Sequence, residues 1–368
     1  MTTVVFVQTV HAADDERVWY HQVASLRKWD CRVAVVAPFA THVSDSDVIL
    51  YSPQDFSRVQ LMRHLSAILS QLHPDVVVCD TPMAICSAKI YSRKHKASCR
   101  VLYDVTEWYP SKKNLRGLAG LRRFFKRFVL NVFNSCMCRY SDGFIFGEID
   151  KALPIQKRFH KKEYVFTSYY PDLQYIQMVD PSVPSQELRL FYSGNLTAEK
   201  GFPRVVEVAK RLAVKNPAQR IVLNVVSNDE FECELPENMT LNLMPFLPFR
   251  QFCEVAAQND LFLDLRDDDE ENTRCLPIKL FYYMAMGRPV IYSNLSAIRK
   301  GCPEIDKFGM LVSPDDVDAV VDRVVEYLHD GDMYLRHCAQ ARELSEQKYN
   351  WKAIEGDFVR FILQNEYD

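Results

Sequence analysis

A lysine and a glycine at the mouth of a helix carry the most informative chemistry in this chain. In LRLFYSGNLTAEKGFPRVVEVAKRL an apolar strand ends at Ser193-Gly194, a tight loop carries Asn195, and Lys200-Gly201 lies just before a new helix. A lysine ammonium and free backbone N–H groups then converge on one point, an arrangement that binds phosphate. The alternative is a surface lysine beside a helix-leading glycine. A second anion site is expected in CLPIKLFYYMAMGRPVIYSN, where Pro277 suits the first helical turn, Lys279 adds positive charge and Gly287 stops the helix. Phe281, Tyr282, Met284 and Ala285 at helical spacing also read as simple packing. Together the two segments predict a diphosphate site.

Two further groups bear chemistry. His11, Asp14 and Arg17 follow the first apolar run and open a helix, with Asp14 or Asp15 as a helix cap being the other reading. Glu107 follows a strand containing Asp104; a place facing the cleft at the strand ends and a structural hydrogen bond to its loop are both open. In KKNLRGLAGLRRFFKRFVLNVF, seven Lys or Arg fall between Lys112 and Arg127. Arg122, Arg123, Lys126 and Arg127 interleave there with Leu121, Phe124, Phe125 and Phe128. This is the pattern of a cationic amphipathic helix on anionic lipid, or of an ordinary helix with Phe124 and Phe128 in the core.

Whole-chain properties narrow the classes. The 368 residues predict two domains, and a formal net charge of -3 gives no global basic excess for nucleic acid. The glycines form neither G-x-G-x-x-G nor G-x-x-x-x-G-K-[ST], which removes the dinucleotide enzymes and P-loop NTPases. Eleven scattered cysteines make no disulfide framework or zinc pattern, and no metal site is expected. No signal peptide or membrane-spanning run is present, so a cytoplasmic location is expected, with peripheral attachment to the inner membrane face through the basic stretch.

The elements that must position these residues follow from periodicity. VVFVQ (4–8), CRVAVVAP (31–38), DVVVCD (75–80), CRVLYDV (99–105) and DGFIFG (142–147) are continuous apolar runs suited to parallel strands covered on both faces, with helix-like segments between them. After the proline-bearing stretch 171–187 a second series runs through LRLFYSG, QRIVLNVVS, LFLDLR and RPVIYS. The expected fold is α/β, two Rossmann-like, doubly wound parallel-sheet domains facing across a cleft. The boundaries are 1–168, a linker at 169–187, 188–350, and a helix at 351–368 crossing back to the first domain.

Five blocks then resemble the retaining glycosyltransferases of the GT-B fold, specifically the family 4 enzymes of bacterial surface-polysaccharide assembly. They are HAADDERVWY, VLYDVTEWYP, YYPDL, GNLTAEKG and PIKLFYYMAMGRPVIYSN, spread in order over nearly the whole chain. The resemblance implies transfer of a sugar from a nucleotide donor, UDP- or GDP-linked, to a growing polysaccharide or lipid-linked glycan, without metal or cofactor. It implies a donor site of Gly194, Asn195, Lys200, Gly201, Arg274, Pro277, Ile278, Lys279, Leu280 and Tyr282, with Lys200, Arg274 and His11 as catalytic residues. His11, Asp14, Arg17, Thr106 and Glu107 fall on the acceptor side. The sequence departs from the family pattern where Asn195 replaces an arginine, Arg274 and Tyr282 replace a pair of glutamates, and Thr106 replaces a histidine. These departures make a non-catalytic GT-B protein that assists a partner transferase the competing reading.

Overall fold

The structure, a computed structural model, describes residues 1–96, 98–106, 109–110 and 113–364. The chain divides into two compact units, one formed by residues 1–168 together with 354 onward, the other by 169–353. In the first unit β1 (Thr3–Val7), β2 (Arg32–Ala37), β3 (Val48–Leu50), β4 (Val76–Cys79), β5 (Arg100–Val105), β6 (Gly143–Phe146) and β7 (Glu163–Phe166) form one sheet. Its order is β3-β2-β1-β4-β5-β6-β7, and each pairing is parallel. Val4, Val5, Phe6 and Val7 are fully buried, which explains an unbroken apolar run where a one-sided sheet would alternate.

Helices cover this sheet. A π-helical segment, Arg17–Val23, leads into α1 (Ala24–Lys28), followed by α2 (Arg58–Leu72), α3 (Pro82–His95), α4 (Gly120–Tyr140) and α5 (Ile149–Arg158). Local chemistry fixes several ends. A capping box closes the start of α2, with Ser57 N donating to Gln60 Oε1 at 2.9 Å and Gln60 N to Ser57 Oγ at 3.4 Å. Thr81 caps α3 ahead of Pro82 at the first helical position.

In the second unit β8 (Glu187–Ser193), β9 (Arg220–Val226), β10 (Met239–Met244), β11 (Leu261–Asp264), β12 (Val290–Ser293) and β13 (Gly309–Val312) form a parallel sheet in the order β10-β9-β8-β11-β12-β13. Its helices are α6 (Phe202–Lys215), α7 (Phe249–Ala257), α8 (Glu270–Thr273), α9 (Ile278–Ala285), α10 (Ser296–Gly301), α11 (Val317–His329) and α12 (Gly331–Gln347). Both sheets wind outward on one side and then restart next to their first strand. Each therefore has a crevice at the carboxyl ends of two adjacent strands, β1 and β4 in one, β8 and β11 in the other, where ligands of such sheets bind.

One segment differs from the sequence reading. Residues 169–187 are not free of core: Tyr169 and Ile176 are buried in the second unit, and Tyr170 meets Phe281 and Tyr349 edge-on at 4.9 and 5.3 Å. Aromatic anchoring draws the stretch into that core despite its prolines. The last helix, α13 (Lys352–Leu363), is bonded to the first unit: Ser25 Oγ donates to Glu355 Oε1 at 2.6 Å, and the Arg100 guanidinium lies 4.7 Å over the Phe361 ring. Among the described residues no helix is long and apolar enough to cross a membrane.

Candidate functional site

In the second unit the crevice between β8 and β11 gathers the lysine-glycine chemistry. β8 stops at Ser193 because Gly194 takes φ +138°, a conformation L side chains rarely adopt. The Tyr192 hydroxyl, lifted in pKa by burial, lies 2.8 Å from the Asn195 carbonyl and 3.2 Å from that of Lys200, tying both ends of the loop to the strand. Gly201, at φ +77°, runs so close to β11 that a Cβ would stand 2.0 Å from the Leu265 carbonyl, so only glycine fits.

Two ammonium groups flank this loop. Lys200 Nζ donates to Asn272 Oδ1 at 3.0 Å and lies 3.7 Å from Glu199. Lys279, on the first turn of α9, reaches back to β8, where its Nζ donates to the Ser193 carbonyl. At the exit of β11 a buried pair completes the crevice: Arg266 Nε donates to Asp264 Oδ1 at 2.7 Å. Burial works to lower the guanidinium's pKa, but the Asp264 carboxylate overrides it and raises it. The sequence reading does not single out Asp264 and Arg266, although charged residues closing an apolar strand are visible in LFLDLR.

The donor-side residues expected from the resemblance separate into two groups. Gly194, Asn195, Lys200, Gly201 and Lys279 meet at the β8 end, and Arg274 is exposed on the turn between α8 and α9. Leu280 and Tyr282 are instead core residues, 0% and 3% exposed, with Tyr282 edge-on to Phe249 at 5.6 Å. An amphipathic helix cannot present both to a ligand while packing them, and here packing prevails. Pro277 precedes the helix rather than joining its first turn; Ile278 follows it and is half-buried. The neighbouring acids hold the loop: Asp267 pairs with Arg204 at 2.6 Å, and Asp269 accepts from Asn272 N at 2.9 Å. Among the described residues no cluster could hold a metal ion.

In the first unit the β1–β4 crevice is organised by a residue that the sequence reading misses. The Asp80 carboxylate, at the end of β4, accepts from Thr9 N at 2.6 Å, Val10 N at 3.1 Å and Thr9 Oγ1 at 2.9 Å. Burial raises its pKa against the pull of these donors and of His11. His11 follows that anchored turn, with Nε2 3.4 Å from Thr106 Oγ1 and Nδ1 4.0 Å from Asp15. The Thr106 carbonyl accepts from Lys151 Nζ at 2.5 Å, and Lys151 pairs with Glu148 at 2.9 Å.

Arg17 and Asp14 do not present themselves to an acceptor. Arg17 is buried, donating to both oxygens of Asp104 and to Thr167 Oγ1 at 3.3 Å, because a guanidinium placed beneath the strand ends must be neutralised there. Asp14 binds the backbone N–H groups of Thr41, His42 and Val43 at 2.9, 2.6 and 3.2 Å. Burial pushes its pKa up, but those N–H groups win and lower it. Asp15 takes the capping role, accepting from Val18 N at 3.3 Å. Glu107, like Lys112, lies outside the described residues.

The basic stretch forms α4, and its apolar side is not core. Phe124 and Phe128 are 65% and 58% exposed, and Leu121, Phe125, Val129 and Val132 are exposed with them. Among its described residues only Met137 and Cys138 are buried, so the helix packs at its carboxyl end alone. Arg122, Arg123 and Arg127 are exposed along the same turns, and Lys126 is half-buried among them.

Residues 187–330 match the family model described as glycosyl transferases group 1. No curated protein matches the chain. Among solved structures it is similar to sucrose-phosphate synthase from Thermosynechococcus elongatus, with TM-score 0.70, 13% identity and 99% of each chain covered. It is also similar to HepE of Anabaena in complex with UDP-glucose, with TM-score 0.71, 12% identity, and 99% of this chain and 100% of that one covered. WaaG, a glycosyltransferase of lipopolysaccharide biosynthesis, gives TM-score 0.66 and 12% identity over 98% and 100% of the two chains. The two parallel sheets, each with a crevice at its strand ends, are thus the fold of the GT-B glycosyltransferases, and the match to the group 1 model lies on the second unit.

Proposed function

We propose that this protein transfers a sugar, with retention of configuration and without a metal, from a nucleotide-sugar donor to a glycan or lipid-linked acceptor, working at an anionic membrane surface. The observation that carries the reading is the meeting of Lys279 and the Gly194–Gly201 loop, with Lys200, at the carboxyl end of β8. A diphosphate there takes charge-assisted hydrogen bonds from two ammonium groups, and Arg274 on the adjoining turn adds a third cation. Their work is to stabilise the charge that develops as the bond from the anomeric carbon to the diphosphate breaks. The acceptor hydroxyl attacks the face the diphosphate leaves, forms the new glycosidic bond and gives its proton to the departing phosphate oxygen. The products are the glycoside and a nucleoside diphosphate.

No cofactor enters this scheme, and the donor is UDP- or GDP-linked. The UDP-glucose bound by HepE and the involvement of WaaG in lipopolysaccharide biosynthesis are properties of those proteins that favour the reading. His11 and Thr106 belong to the acceptor side, at the opening of the β1–β4 crevice, and α4 is the membrane contact through Arg122, Arg123, Lys126 and Arg127. One observation favours a non-catalytic relative instead: Tyr282 occupies a glutamate position of the family and is buried in the core. Thermal shift with UDP-, GDP-, ADP- and CMP-sugars selects the donor, since a ligand at about 100 times its dissociation constant adds roughly 2.7 kcal/mol of stability. Release of nucleoside diphosphate from that donor supports the enzyme. Binding with neither hydrolysis nor transfer supports the assisting protein.

A further inference from the structure

The exposed stripe of α4 does not end on open surface. Leu121, Phe124, Phe125, Phe128 and Val132 share one side of the helix, and at helical spacing that side continues through Asn131 and Ser135 to Arg139. Phe128, Val132, Ser135, Arg139 and, from α5, Arg158 line a cavity of about 650 Å³ between the two helices. Asn131, Ser135, Arg158 and Phe159 are shared with a second cavity of about 200 Å³, which reaches inward past Asn134 to Tyr103, Val105 and Lys151. Val105 is the residue before Thr106, and Lys151 is bonded to the Thr106 carbonyl, so the inner end of this groove lies behind the residue that touches His11.

The groove is graded. Its outer mouth is apolar, with Phe128 and Val132; its middle holds the guanidinium groups of Arg139 and Arg158; its inner wall offers the amides of Asn131 and Asn134 and the hydroxyl of Ser135. Arg158 Nη1 donates to Ser135 Oγ at 2.6 Å, and among the described residues neither guanidinium meets a carboxylate. The sequence holds no Asp or Glu from residue 108 to 141, so the whole face attracts anions. We propose that the α4–α5 groove binds the phosphate-linked, hydroxyl-bearing headgroup of a membrane lipid. The chains of that lipid stay in the bilayer beside Phe124 and Phe128, its phosphate lies between Arg139 and Arg158, and its hydroxyl groups meet Asn131, Asn134 and Ser135. The inference rests on the membrane-facing reading above and deepens it by assigning the acceptor's carrier a seat in the amino-terminal unit.

The test uses the full chain and phosphatidylcholine vesicles doped with phosphatidylinositol or with the same mole fraction of phosphatidylglycerol, two lipids of equal charge but unequal headgroup hydroxyls. Wild-type protein is expected to sediment with the inositol vesicles at about tenfold higher affinity, the worth of one or two hydrogen bonds beyond the shared electrostatics. Asn134→Leu, and separately Asn131→Leu, should erase that preference while leaving glycerol-lipid binding and the melting temperature within error. Replacing Arg122, Arg123, Lys126 and Arg127 with Gln should weaken both bindings alike. Equal affinity of wild type for the two vesicles, or a preference that survives both Asn variants, overturns the groove and leaves the membrane reading standing. Failure to sediment with either vesicle at low salt overturns the membrane reading itself. Soluble glycerophosphoinositol that binds as tightly as the vesicle overturns the assignment to a lipid.

Discussion

Lys279 crosses from α9 to the end of β8 and places its Nζ 3.0 Å from the point where a Cβ on Gly194 would stand. One methyl group therefore meets both a conformational barrier, at φ +138°, and the ammonium that faces the loop after β8. Gly194→Ala is expected to cost about 1–3 kcal/mol of stability, the range for a residue held in a sparsely populated backbone region. It should also weaken nucleoside-diphosphate binding. Thermal melts and calorimetric titration check both; wild-type values in each would remove Gly194 from the site.

Lys200 supplies the complementary case, because its ammonium is partly exposed and, among the described residues, is bonded to Asn272 and Glu199. Lys200→Ala should leave the melting temperature nearly unchanged, as solvated side chains contribute little. Binding of nucleoside diphosphate should fall at least about tenfold, the loss of one charge-assisted contact. An unchanged dissociation constant would take this loop out of the donor site.

Arg274 tests whether positive charge has moved between loops. Arg274→Ala should lower turnover by about 10²-fold, the scale for losing one positioned charge-stabilising group. Arg274→Lys should restore part of it, because a single ammonium cannot grip two phosphate oxygens in a fork. Asn195→Arg in the Arg274→Ala background is expected to recover activity. Full turnover by the single alanine variant defeats the idea.

His21 gives the first unit an acid-sensitive point. Burial first, and the nearby Arg17 guanidinium second, push its pKa down from 6.5 to about 3. The unfolded chain thus takes up a proton below pH 6.5 that the folded chain refuses until about pH 3, so stability falls as pH drops through that window and is unaffected above it. At pH 4.5 the loss is about 3 kcal/mol, since each pH unit below 6.5 is worth a little over 1 kcal/mol. Denaturant titrations of wild type and His21→Gln from pH 7 to 4.5 should converge if the imidazole is responsible; parallel curves would assign the acid loss elsewhere.

The inner strands are legible in the sequence and the outer ones are not, for a reason visible in their burial. β1, β4, β5, β11 and β12 are covered on both faces and read as nearly continuous apolar runs, and β8 does so from Leu190 onward. β3, β7, β10 and β13 are short or mixed, with Leu50, Tyr164 and Leu243 exposed, and periodicity does not separate such segments from loops. At the candidate site the glycines and lysines of the β8 loop stand out because their types are unusual at a strand end. Asp80 does not: its task depends on Thr9 and Val10, some 70 residues away in the chain. The burial of Arg17 is equally hidden, since it is set by Asp104 and Thr167. Helical spacing gives α4 an apolar side, but whether another element covers that side is a tertiary fact that no local pattern contains.

The return of α13 to the first unit has a consequence for how the protein is made. Ribosomal synthesis delivers residues 1–168 first, yet Ser25 and Arg100 wait for Glu355 and Phe361 until the whole of residues 169–353 has emerged. At roughly 5–20 residues per second that interval is on the order of 10–40 s. Throughout it the nascent amino-terminal unit carries the cradle that α13 will fill, open to chaperones or to the same helix from a neighbouring chain. The unit begun first is the unit finished second.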